Sequence, residues 1–356
     1  MQRLVSLDVL RGITVAAMIL VNDGYGETFP ALKHVAWNGM TPCDLVFPTF
    51  LFIVGISTYL SLSKLQFQPT GAVLTKVIRR TVIIFLLGLF INWLVLAVDG
   101  RPFDFAHLRY WAVLQRIAVC YLAVSLFALF VPHRHTVRVI IGLLVAYAAI
   151  LLLGNGYSED GTLNIAGRID TFLFGKDHLY QWAPIDPEGL LGCLGGIAHT
   201  LIGFQCARLM MGVADVRSKV FRLLMAGGGM VLVAFFLHHF GLPFNKTIWS
   251  PSYALMTCGL AAVAQGLFMY IIDIRGWQRW TVPFLIFGVN PLFLYVFSEC
   301  LAVFGWQFGA NDALYAAIHS IVTWPELASL CFALTYVFVC ALIGYILYSR
   351  RIFIKI

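Results

Sequence analysis

The sequence predicts an all-α, polytopic integral membrane protein with about ten transmembrane helices. Three observations carry that expectation. Of 356 residues, 60% are hydrophobic and only 12% charged, half the roughly 25% charged share of a water-soluble domain. So little polar surface cannot coat a soluble particle of this size, and the mean hydropathy of +0.86 agrees. Apolar runs recur along the whole chain at a length suited to a hydrocarbon core, which takes about 20 residues of helix to cross. Lysine and arginine then alternate between successive connections, as they do when loops fall on opposite sides of a bilayer.

The runs are taken in chain order. The first, 5–23, carries Asp8 and Arg11 and ends in Asn22-Asp23-Gly24. It has no small-x-small cleavage site, so it is expected to stay as a span and not to be removed as a signal peptide. The second, 43–63, has Asp44 at its head. The third covers 77–98, and the fourth, 109–131, holds Leu114-Gln115-Arg116 in its middle. The fifth covers 137–154, and the sixth, 188–211, is approached through Asp186-Pro187-Glu188-Gly189. The seventh, 221–240, ends in His238 and His239, and the eighth, 251–273, follows Asn245-Lys246-Thr247-Ile248-Trp249-Ser250. The ninth, 282–304, includes Asn290-Pro291 and Glu299, and the tenth is 325–349. The whole chain, 1–356, is read as a single transmembrane domain with no repeat and no soluble appendage.

Ten spans put both termini on one side. Connections on that side hold sixteen lysines and arginines, and those on the other hold six. The positive-inside rule therefore predicts cytoplasmic termini. The net charge of +7 is read as topological, because its basic residues lie at the ends of apolar runs and form no stripe for nucleic acid. The eight cysteines sit mostly within apolar runs, without C-x-x-C spacing, and are expected to be small buried hydrophobes. No metal site is expected.

Ionisable groups within a bilayer are costly and are functional candidates by default. Asp8 and Arg11, three residues apart, are neighbours on one helix face. They form either a self-neutralising pair or a cationic contact for an anionic ligand in a cavity. Arg116 has no acid at helical spacing. Its partner is either a carboxylate of another helix, such as Asp8 or Glu299, or a phosphate, which suits a guanidinium. The densest polar stretch beside a span runs from Asn22 through Lys33-His34-Val35-Ala36-Trp37-Asn38-Gly39-Met40-Thr41 to Asp44. His34 with a nearby carboxylate is the equipment of a general base or nucleophile, although spacing alone also allows a solvated loop histidine. Asn245 and Trp249 are read either as sugar contacts, through hydrogen bonding and stacking, or as interface and turn residues. Asp186 is read in the same two ways, as site residue or helix cap.

Several strings resemble one family. They are S-L-D-V-L-R-G, V-N-D-G, K-H-V-A-W-N-G-M-T and D-L-V-F-P-T-F-L-F-I-V-G within 3–57, then L-Q-R at 114–116, D-P-E-G at 186–189, N-K-T-I-W-S-x-S-Y at 245–253 and G-V-N-P-L-F-L-Y-V at 288–296. In that order they resemble the heparan-α-glucosaminide N-acetyltransferase family and its bacterial relatives. The resemblance implies a transferase that takes acetyl from cytosolic acetyl-CoA and delivers it to a glucosamine amine across the membrane. It places the family's active histidine at His34 and the asparagine beside it at Asn22. Asp44 is expected to orient the imidazole. Arg11, Arg116, Gln115 and Arg80 are expected along the acetyl-CoA path, and Asp186, Glu188, Asn245, Trp249 and Asn290 around the acceptor sugar. Because the chain opens at its first span, the expected setting is a bacterial inner membrane. The family admits a homodimer. The competing expectations are a transporter for a sugar or anion, and an O-acyltransferase acting on a cell-wall or lipid-linked sugar.

Overall fold

A computed structural model describes residues 4–180 and 183–354, and every regular element among them is helical. The helices are α1 (Val5–Asn22), α2 (Val46–Ser63), α3 (Gly71–Val98), α4 (Val113–Phe130), α5 (Thr136–Leu153), α6 (Ile165–Phe174), α7 (Cys193–Met211), α8 (Val216–His239), α9 (Pro251–Phe268), α10 (Val282–Val289), α11 (Pro291–Gln307), α12 (Ala310–Ile321) and α13 (Pro325–Ser349). A π-helical turn, Met269–Ile274, prolongs α9. The outward faces are apolar. On α3, Ile78, Val82, Leu86 and Phe90 form an exposed stripe at helical spacing. Such a surface is matched to lipid and not to water.

Among the described residues, eight helices are long and apolar enough to cross a bilayer, and the pair α10–α11 makes a ninth if it counts as one span. That pair corrects the expectation of a continuous helix over 282–304. The chain bends by 86° at Asn290, where Pro291 has no N–H to continue the helical ladder. The predicted sixth span, 188–211, is also revised. Its helix begins at Cys193, leaving the D-P-E-G segment as an ordered loop. This α7 is diluted by His199, Thr200 and Gln205 and lies in the interior, where lipid-matching hydropathy is not required. The fourth span likewise starts at Val113, so Arg109 belongs to a loop. The long connections contain the short amphipathic helices α6 and α12.

Close backbone approach holds the centre together. A Cβ on Gly55 of α2 would lie 2.0 Å from the Thr200 carbonyl oxygen of α7, so only glycine lets these two helices pack. At the end of the bundle that carries both termini, Leu4 and Val5 face Phe353 and Ile354 across a cavity of about 870 Å³. Asn290 fastens this tail: its amide donates to the Ile352 carbonyl (2.9 Å) and its Oδ1 accepts from the Ile354 N–H (2.8 Å). α1 runs from this end to the opposite one, its 18 residues rising about 27 Å.

Candidate active site

The far end of α1 opens on a cavity of about 580 Å³ lined by Asn22, His34, Asn92, Arg109, Gln115, Glu188, Lys246, Tyr295 and Glu299, among others. Its floor is made by local chemistry that the sequence T-P-C-D specifies. Pro42 starts a tight turn, Pro42–Leu45, and Asp44 three residues after Thr41 closes a reciprocal cap. The Thr41 N–H and hydroxyl both donate to Asp44 Oδ2 at 3.0 Å. Val35 N–H adds a third donor at 3.3 Å. With Oδ2 fixed, Oδ1 is aimed at His34 Nδ1, 2.7 Å away. Tyr253 of α9 donates to the Asp44 carbonyl at 2.5 Å and locks the turn from beneath.

This arrangement assigns the imidazole tautomer. Asp44 is fully buried and His34 half exposed. Nδ1–H donates inward to the carboxylate, which leaves the Nε2 lone pair toward the cavity. Asn22 donates to Glu299 Oε1 at 3.0 Å, using one of its two amide N–H groups. The Cys43 thiol also lies 3.1 Å from His34 Nδ1.

The opposite wall comes from two loops. Arg109 clasps Asp186 (2.6 Å) and Glu188 (2.8 Å) together. Burial works to raise the Glu188 carboxyl, but Arg109, and then Arg116 and Lys246, outweigh it and hold that group below the ordinary carboxylate range. Burial pulls Arg109 down, while Glu188 and Asp186 carry it above its usual value. Asp186 is enclosed: its Oδ1 caps the Glu188 N–H and its Oδ2 takes the Tyr180 N–H, both at 2.9 Å. It organises the loop, and Glu188 is the member that lines the cavity. Gln115 lines the same cavity with its amide oxygen and nitrogen both buried and unpaired among the described residues. Buried amides without partners are rare in native proteins, so Gln115 presents unused hydrogen-bonding capacity to this cavity.

Other expected site residues lie elsewhere. Arg116 is fully buried, donates to the Gly189 carbonyl (2.9 Å) and stacks over the Trp249 ring with its Cζ 5.1 Å from the centroid. It supports the D-P-E-G loop and, among the described residues, does not line the cavities at the terminal end; Asp8 pairs with Arg11, and Glu299 accepts from Asn22. Trp249 is packed among Phe47, His199 and Tyr253, so it offers no face to a sugar. Asn245 is equally enclosed, holding its own turn through the Ile248 N–H (3.1 Å) and Asn38 (3.2 Å). Between them Lys246 and Thr247 do face the cavity. Asn290 is at the terminal end, far along α11 from Glu299, and serves the tail described above. Arg80 lies against the Tyr121 ring at 4.8 Å, whereas Lys76, one turn earlier on α3, lines a cavity. These corrections share one reason. The sequence shows that a polar residue lies near a membrane end, but not whether it turns into the packing or into a cavity.

Arg11 lies at the terminal end. It pairs with Asp8 (3.1 Å) and donates to Ser57 (3.0 Å). It lines two adjoining cavities: one of about 360 Å³ with Ser57, Ser61, Lys64 and Lys76, and the larger one with Asp8, Lys219 and Asp273. The sequence reading missed Asn92 and Lys246 as site residues. Asn92 had a usable signal, an amide within an apolar run, and its Nδ2 now holds the Arg109 carbonyl at 2.7 Å. Lys246 had none, because its role depends on His34, 212 positions away.

Comparison with known proteins agrees with the motif strings. Residues 3–187 match the family described as heparan-alpha-glucosaminide N-acetyltransferase, catalytic. The chain is similar to heparan-alpha-glucosaminide N-acetyltransferase of Homo sapiens, 29% identical over 422 residues, covering 99% of this chain and 60% of the human protein. It is 28% identical over 415 residues to the protein of the same name from Mus musculus, with the same coverage of 99% and 60%. The chain thus spans 60% of the length of these relatives. A family match that covers the α1–α2 connection with His34, Asn22 and Asp44, together with alignment across nearly all of the chain, makes it a member of the heparan-α-glucosaminide N-acetyltransferase family.

Proposed function

We propose that the chain is a transmembrane acetyltransferase that moves acetyl from acetyl-CoA to the amine of a glucosamine-type sugar, with His34 at the reacting centre. The observation that carries this reading is the His34–Asp44 contact of 2.7 Å in the cavity that also holds Asn22. A buried carboxylate on Nδ1 is the arrangement that turns Nε2 into a base or nucleophile.

Acetyl-CoA is a polyanion with a long arm. The terminal-end cavities suit it chemically: Arg11, Lys64, Lys76 and Lys219 supply cations, and Ser57 and Ser61 supply hydroxyls. Along α1, Arg11 and Asn22 are eleven residues apart, a rise of about 16 Å. The excess of lysine and arginine on the terminal side supports a cytoplasmic location for that end, which is where acetyl-CoA is made. The acceptor then meets His34 on the outer side, in an inner membrane for a bacterial protein. Glu188 and Glu299 offer the acceptor cavity carboxyl oxygens that can accept hydrogen bonds from an amino sugar.

His34 acts in one of two ways. It attacks the thioester and carries acetyl itself, or it deprotonates the sugar ammonium in a ternary complex. The test uses the full chain in liposomes with labelled acetyl-CoA and a panel of amino sugars. Transfer of label that requires acceptor and vanishes in His34→Ala supports the proposal. A burst of CoA without acceptor identifies the acetyl-histidine route. If label never moves while a labelled sugar crosses the bilayer, the chain is a transporter.

A further inference from the structure

The polar lining of the His34 cavity contains one cation whose position the acetyl-transfer reading does not use. Lys246 Nζ lies 2.9 Å from His34 Nδ1 and 3.0 Å from Nε2, and 3.5 Å from Asp44 Oδ1. A point almost equidistant from both ring nitrogens is off the in-plane axis of either lone pair. The ammonium therefore stands beside the imidazole without taking up Nε2. It is only 16% exposed, so its charge acts in a partly dehydrated setting, where electrostatics are stronger than in bulk water.

The chain is shaped to put it there. Asn245 Oδ1 accepts from the Ile248 N–H, and the Trp249 N–H returns to the Lys246 carbonyl at 2.9 Å. Trp249 adopts φ +51, a left-handed conformation unfavourable for a bulky side chain. That turn is held by the Trp249 ring, clamped under the Arg116 guanidinium and against Phe47. The effect is to bury residues 245 and 249 and deliver 246 to the cavity. Strain retained at one backbone position is characteristic of functional sites.

We propose that Lys246 is a catalytic residue of this centre, its ammonium stabilising the oxyanion formed when the acetyl thioester is attacked. This rests on the acetyl-transfer reading above. As the acceptor nitrogen forms its bond to the acetyl carbon, the carbonyl electron pair moves onto oxygen. Lys246 donates a hydrogen bond to that oxyanion and keeps its proton. Collapse breaks the carbon–sulfur bond. CoA leaves as thiolate and takes up one proton that His34 removed from the nitrogen, and the other proton lost as the sugar ammonium becomes an amide passes to solvent. The same oxyanion arises if His34 is the attacking group. Asp44 Oδ1, 3.5 Å away, balances the charge of the ammonium, which in that form has no lone pair with which to attack the thioester.

The experiment measures initial rates for the full chain in liposomes with acetyl-CoA and glucosamine, comparing wild type, Lys246→Met, Lys246→Arg and His34→Ala. Loss of one oxyanion donor lowers kcat by about 10²–10³-fold. Lys246→Met is expected to fall by that factor with both KM values near wild type, and Lys246→Arg to recover part of the loss. If thermal melting shows that the methionine variant does not fold, Lys246→Gln takes its place. An unchanged kcat, or a raised glucosamine KM with unchanged kcat, overturns the proposal. So does an acetyl group located on Lys246 by peptide mapping after incubation with acetyl-CoA alone. If wild type itself transfers nothing, the acetyl-transfer reading fails. If wild type and Lys246→Met transfer alike, only this inference fails.

Discussion

Two neighbours of different origin stand against the His34 ring. Asp44 comes from ten positions along the chain, within one capped turn, and that pairing was legible in the sequence as a histidine followed by a carboxylate at the head of a span. Lys246 comes from the far side of the fold and was not. Asp44→Asn should lower kcat by about 10²–10⁴-fold, the range for removing effective general-base chemistry. The loss is to be read in steady-state rates beside a melting curve, because Asp44 also receives Thr41 and Val35 N–H groups. Thr41→Val serves as the control that weakens the turn without touching the carboxylate. Asp170 provides a second prediction at this scale. It is buried on α6, takes the Leu190 N–H at 2.9 Å, and burial raises its carboxyl from 3.8 to about 6. The native state therefore holds its proton more tightly than the unfolded chain does. That contribution to stability is present below pH 3.8 and is lost as pH rises to about 6. At about 1.4 kcal/mol per pKa step, the loss is roughly 3 kcal/mol. The melting temperature of wild type should fall between pH 4 and 6 relative to Asp170→Asn. Parallel curves for the two proteins would contradict this assignment.

Among the elements, α4 and the loop before α7 show how a buried cation can organise a site without entering it. Arg116 joins α4 to the Gly189 carbonyl and to Trp249, and so braces both walls of the cavity. Were it a phosphate ligand, Arg116→Lys would raise the KM for acetyl-CoA selectively. The structure predicts instead a lower melting temperature and a lower kcat, with little change in that KM, because lysine lacks the planar fork that makes both contacts. Gly55 makes the matching point for helix packing. Gly55→Ala forces a methyl against the Thr200 carbonyl and should cost about 1–3 kcal/mol, the usual range for overpacking. Folded yield in detergent and thermal unfolding measure it. Neither effect was readable from hydropathy, which grades α7 as a weak span although it is among the most deeply packed helices.

The molecule as a whole has two ends with different chemistry. Around Arg11, at the end with the termini, Lys64, Lys76 and Lys219 outnumber Asp8 and Asp273, whereas at the other end Arg109 and Lys246 are matched by Glu188 and Glu299 among amides. The proposed orientation predicts which end an impermeant thiol reagent reaches. Phe103→Cys, in the loop after α3, should be labelled in intact cells, and Phe353→Cys only after permeabilisation. The reverse pattern would invert the proposed direction of transfer. Most native cysteines are buried, so background labelling should be low.

By itself the sequence determined the class of the fold and the number of long apolar runs to within the broken and interior ones, and it brought His34 and Asp44 forward as candidate partners while leaving a solvated His34 open. These depend on composition and on contacts a few residues apart, which a linear pattern records directly. Tertiary structure decided which polar residues face a cavity. Asn245, Trp249 and Asn290 turned into packing, Arg116 became a brace, and Lys246, Asn92 and Glu299 came to the centre. Hydropathy and spacing are blind to that choice. It is set by how glycine contacts such as Gly55 on Thr200 fix neighbouring helices, and by turns such as 245–249 whose side chains divide between core and cavity.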